Sequence, residues 1–173
     1  MTHPQIPQTA NERDTLVAFL DYYRELMLDK AGGLSKEQLG VRLEPSTMTL
    51  AGMIYHLAVV EQGWFSNHFL GLDLTEPWAS VDWEADRDWE WDIAPTLEPE
   101  VVLSAYRTAF ERSNEIIAAA DSLDQLSVKD EPGSEMSLRW ILVHMVEETA
   151  RHAGHADLIR ESIDGEVGDF RKS

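Results

Sequence analysis

The chain has no cysteine. That absence excludes a disulfide framework, a thiolate metal ligand and a cysteine nucleophile, so any thiol chemistry must use a thiol brought in from outside. Basic charge is scarce as well. Lys and Arg number 14 against 32 Asp and Glu, which gives a formal net charge of −18. Such a surface repels phosphate backbones and anionic headgroups, which argues against nucleic-acid and membrane partners. No apolar run approaches the roughly 18 residues of a membrane-spanning helix. Met1–Asn11 is polar, carries two prolines and lacks the layout of a signal peptide, so a cytoplasmic location is expected. There is no convincing strand alternation and no internal repeat.

What the sequence does contain is helical periodicity. At 173 residues, 43% of them hydrophobic and six of them Trp, the chain is long enough for one domain with a real core. That domain is expected to span 1–173, with tails at about 1–10 and 165–173. The first long segment is Asn11–Lys30, with Leu16, Phe19, Leu20, Tyr23 and Met27 at helical spacing and Gly32-Gly33 as its stop. Ser35–Leu39 adds a further turn. The second is Thr49–Leu70, introduced by Pro45-Ser46-Thr47 and ended by Gly71. The third, Glu100–Ala120, follows Pro99, a residue suited to a first helical turn. The fourth, Ser137–Ile163, lies between Pro132-Gly133-Ser134 and Gly165. The fold class expected is all-α, a four-helix bundle.

The connection from Gly71 to Glu98 is far longer than the others, and long loops in compact domains usually carry function or structure of their own. It holds Trp78, Trp83, Trp89 and Trp91 among nine acidic residues and one Arg. It is expected to cross over the bundle, so that helices two and three run in the same direction. Its tryptophans either cap the core or wall a substrate pocket. Apolar, Trp-rich surface also leaves a homodimer open.

One face of the fourth helix carries the chemistry. Ile141, Met145, Glu148, His152, His155 and Ile159 all fall within about 40° of one direction at 100° per residue. A carboxylate and two imidazoles thus sit where core residues belong. Buried without partners, such groups cost several kcal/mol, so they pair or bind a metal. Glu148 and His152, four apart, project side by side, a standard way to hold a divalent ion. A catalytic zinc site takes three protein ligands and keeps one open position, so a third ligand has to come from another helix. His56 is the best candidate, beside the apolar stripe of Met53, Leu57, Val60 and Trp64. Thr49, Gly52 and Gly63 share its side and leave space beside the imidazole. His155, His144, His68 and His3 are the competing histidines.

The stretches Met48–Phe65 (MTLAGMIYHLAVVEQGWF) and Ser137–Ser162 (SLRWILVHMVEETARHAGHADLIRES) resemble the DinB/YfiT-like superfamily of metal-binding four-helix bundles. The resemblance covers nearly the whole chain in helix order, including the long second connection. Family members commonly bind a divalent metal through one His of helix two and a His-x-x-x-His pair of helix four. Here Glu148 replaces the first His of that pair. The same departure is seen in mycothiol-dependent maleylpyruvate isomerase, whose triad is two His and one Glu. The resemblance therefore implies His56, Glu148 and His152 as metal ligands, with zinc first and nickel, manganese or iron as alternatives. His155 follows Ala153-Gly154 where many relatives have Gln after Arg-Gly, which makes it a residue near the ligands or one that handles a proton.

Characterised relatives use mycothiol or bacillithiol as a thiol co-substrate. The reading that follows is a metal-dependent thiol S-transferase. A low-molecular-weight thiol, deprotonated at the metal, attacks an electrophile under the Trp-bearing crossover, and His155 is the catalytic residue. Arg151 and Arg160 flank the face, either as solvated helix charges or as partners for carboxylates of the thiol. A hydrolase using metal-bound water, or a non-catalytic metal-binding stress protein, are the alternatives.

Overall fold

Asn11 starts the first helix: its side chain accepts from the backbone N–H of Asp14, and α1 runs Glu12–Ala31. In the computed structural model, residues 3–128 and 133–167 are described. Pro132 and the two chain ends, 1–2 and 168–173, therefore lie outside the described residues. Ser35 and Gln38 form a reciprocal capping box that fixes the short α2, Lys36–Leu39. Thr49 caps α3, Leu50–Glu61, which continues as a π-helical segment over Gln62–Phe69. The sequence predicts a single helix through Leu70, and the second half of that segment instead takes the wider turn. Pro99 opens α5, Pro99–Ala119, and Ser137 caps α6, Leu138–Asp164, which ends at Gly165 with φ of 78°. Between the π segment and α5, the crossover forms a short turn at Trp78–Ser80, a helix α4 at Trp89–Ile93 and another turn at Ala94–Thr96.

The apolar faces meet in two clusters. One gathers Leu26 and Met27 of α1, Met53 and Leu57 of α3, Val102 and Tyr106 of α5, and Ala156 and Ile159 of α6. The other gathers Leu20 of α1, Phe65 and Phe69 of the π segment, Ile116 and Ile117 of α5, and Ile141 and Met145 of α6. These memberships fix the direction of each helix. The start of α3 lies beside the start of α5 and beside the ends of α1 and α6. Lys30 Nζ reaches Asp157 at 2.9 Å at one end, and Arg139 Nε reaches Glu12 at 2.7 Å at the other, so α1 and α6 run parallel. The four long helices form a bundle in which α3 and α5 share a direction, and the crossover must travel back along its length.

Arg24 stands between the clusters, fully buried, with its guanidinium 6.0 Å from the Phe65 ring and 5.5 Å from that of Phe110. It makes paired bonds of 2.7 Å to both carboxylate oxygens of Glu61, and donates to Asp21 and Asn114. Glu61 is the last α-helical residue before the π segment.

Candidate metal centre

The capped α3 and α6 bring three side chains together in the half of the bundle built on Met53 and Ala156. His56 lies mid-way along α3, and Glu148 and His152 lie one turn apart on α6. His152 Nε2 is 3.2 Å from Glu148 Oε1, and His56 Nε2 is 3.5 Å from the same oxygen. One ligand atom from each residue lies within 4.8 Å of the other two. The apolar ends of the α6 stripe are packed away, with Ile141 and Met145 fully buried and Ile159 at 3% exposure. The polar middle of the stripe faces the cluster.

The electrostatics follow from that convergence. Hydrogen bonds from the His152 and His56 imidazoles hold the Glu148 carboxyl well below the usual carboxylate range, against the opposing effect of burial. Burial pushes His56 down, but hydrogen bonds to Glu148 and Glu90 outweigh it and raise the imidazole above its ordinary value. The donor set, two imidazole nitrogens and one carboxylate oxygen, is one that zinc accepts, in the number a catalytic zinc site takes from protein. The residues fit a divalent ion.

Glu90, on the crossover, escaped the sequence reading. The residue is 4% exposed and its Oε1 is 2.9 Å from His56 Nδ1. Next to it, Trp91 stacks on the His56 ring with centroids 4.6 Å apart and planes 29° from parallel. Gly52 admits that ring, since a Cβ at Gly52 would come within 2.8 Å of Trp91 Cε3. The space expected beside the imidazole is therefore filled by indole. Thr49 is committed to the helix cap through Gly52 N–H, and Gly63 has nothing within 4 Å of where a Cβ would stand. The other crossover tryptophans pack on the core: Trp78 is 3% exposed, and Trp83 and Trp89 are partly buried against the same cluster. Trp91 packs against that cluster as well and also borders a cavity of about 340 Å³, lined with it by Arg42, Thr47, Met48, Asp88 and Asp92.

His155 lies next to the cluster but not in it. Its ring centroid is 6.0 Å from that of His152, and its Nδ1 is buried with no hydrogen-bond partner among the described residues. The remaining histidines sit elsewhere. His144 packs against Trp64 and Trp140, His68 stacks on Trp64, and His3 Nε2 lies 3.4 Å from Asp29. Arg151 is exposed and pairs with Glu147. Arg160 is buried and donates to the carbonyls of Lys30 and Gly32 and to Asp164, so it fastens the end of α6 to α1 and is not a solvated charge.

The family model for mycothiol S-transferases matches residues 15–165. The chain belongs to the mycothiol S-transferase family. This is a DinB/YfiT-like family, in line with the stretches around His56 and His152. The matched span runs from α1 to Gly165, so the mycothiol S-transferase match takes in the crossover and all three cluster residues. Comparison with curated proteins returns no match. Among the described residues of this mycothiol S-transferase family member, no helix is long and apolar enough to cross a membrane.

Proposed function

We propose that this protein is a divalent-metal-dependent thiol S-transferase, acting on a mycothiol-like low-molecular-weight thiol and a small electrophile. The observation that carries the reading is the convergence of His56, Glu148 and His152 in a cysteine-free member of a thiol transferase family. These three side chains would hold the ion, zinc first. When bound there, such an ion supplies Lewis acidity that makes a thiol a thiolate nucleophile near neutral pH.

The remaining work falls to this chain's residues. The thiol sulfur forms its bond to the electrophilic carbon, and the leaving group departs with the bonding pair. His155, beside His152 and with an Nδ1 that has no hydrogen-bond partner among the described residues, takes the thiol proton. Trp91 and the crossover cover one side of the site and keep water from it. The cytoplasm, which keeps small thiols reduced, suits this chemistry.

The test is conjugation of a bimane reporter to each of several cellular thiols, mycothiol among them, by zinc-loaded and chelator-treated protein. Thiol- and metal-dependent acceleration is expected, and it should vanish in His152→Ala. His155→Ala should lower turnover while retaining the ion. If no thiol reacts faster and an ester or amide is hydrolysed in a metal-dependent way, the protein is a hydrolase. Metal binding with neither activity would leave a non-catalytic metal protein.

A further inference from the structure

We infer that Glu90 is a positioning residue that orients His56 for metal ligation, so that the crossover as well as the two ligand-bearing helices sets the affinity of the site. The inference rests on the metal reading above and adds a fourth residue to it.

The argument begins with what a carboxylate can do. Ionised, it only accepts hydrogen bonds, so the 2.9 Å contact with Glu90 Oε1 places a hydrogen on His56 Nδ1. The charged imidazole donates to both carboxylates, but the 2.9 Å contact to Glu90 is shorter than the 3.5 Å one from Nε2 to Glu148, so the neutral ring keeps its hydrogen on Nδ1 and its lone pair falls on Nε2. Glu90 thus selects the tautomer that can ligate. Trp91 holds the ring's face while Glu90 holds its edge. Burying a carboxylate is costly, and Glu90 Oε2 has no hydrogen-bond partner among the described residues. The bond to His56 is therefore the contact that its burial serves. A carboxylate behind a ligating imidazole both fixes the ring and raises its basicity.

Zinc affinity, measured by competition with a chromophoric chelator, tests this on the full chain. Wild type should bind one ion, and His56→Ala should lose it. Glu90→Ala should bind about 10- to 100-fold more weakly. Glu90→Gln, which keeps an acceptor oxygen at nearly the same volume, should recover part of that loss. Long-range ¹H–¹⁵N spectra of the metal-free protein, taken where His56 is neutral, should show its hydrogen on Nδ1 in wild type and a shift toward Nε2–H in Glu90→Ala, a change that a merely structural role would not produce. Circular dichroism melts of the metal-free variants confirm that each is folded. The inference is overturned if wild type binds zinc through His56 while Glu90→Ala binds it as tightly, or if His56 carries its proton on Nε2. Should wild type bind no ion, the metal reading itself falls, and this inference with it.

Discussion

Gly52 connects the backbone of α3 to the chemistry of His56. Replacing a glycine inside a helix with alanine ordinarily favours the helix, by up to about 1 kcal/mol in the interior, and Gly52 lies in the first turn of α3. Here the new Cβ would stand 2.8 Å from Trp91 Cε3 and 3.1 Å from Thr49 Oγ1. The indole belongs to the crossover, so it gives way before α3 does. Gly52→Ala should retain its helical circular dichroism, change its tryptophan emission and weaken zinc binding toward the level of Glu90→Ala. Unchanged affinity would show that Trp91 is not needed against the imidazole. The residue scale also marks the limit of sequence reading. Glu148 and His152 were legible because polar residues interrupt an apolar period, and His56 because it borders another. Glu90 gave no such signal: an acid in an acidic loop looks solvated, and its burial depends on contacts with α3 that no local pattern encodes.

At the scale of elements, the Arg24–Glu61 pair ties α1 to α3 where the helix changes its turn. Both side chains are fully buried, and burial alone would lower the Arg24 pKa. The Glu61 carboxylate more than offsets that and keeps the guanidinium charged. Removing one partner from such a pair costs about 3–5 kcal/mol, whereas replacing both with apolar groups costs far less. Glu61→Leu should therefore lower the melting temperature severely, and Arg24→Met with Glu61→Leu should regain most of it. A double variant as unstable as the sum of the two single ones would refute the pairing argument. The four long helices were legible to within a residue or two, because each has an apolar stripe and a start signal: Asn11, Thr49 and Ser137 accept bonds from the first turn, and Pro99 opens α5. The π segment was not, since Gln62–Phe69 keeps an apolar spacing that suits either turn, and the hydrogen-bond register leaves no trace in polarity.

At the scale of the whole molecule, protons and the proposed metal ion would compete for the same three side chains in a chain with a net charge of −18. Without an ion, the site stabilises the fold through its own charges, and the signs can be worked out. His56, raised above its ordinary 6.5, contributes stability that is present below that value and lost as pH climbs through the raised one. Glu148, lowered from 4.5, contributes stability present above that value and lost as pH falls through the lowered one. Both contributions are in place between pH 4.5 and 6.5. An ion bound there, as proposed, would need the imidazoles deprotonated and would take over where His56 gives up its proton. The rise in melting temperature on adding zinc should therefore be small near pH 5 and grow steadily to pH 8. The acidic surface attracts divalent cations without selectivity, so the comparison belongs at high ionic strength with calcium as the control ion. Calcium should give no comparable rise, and His56→Ala should abolish the pH-dependent part of the zinc effect. A zinc effect that shrank with rising pH, or that survived in His56→Ala, would place the ion somewhere other than between α3 and α6.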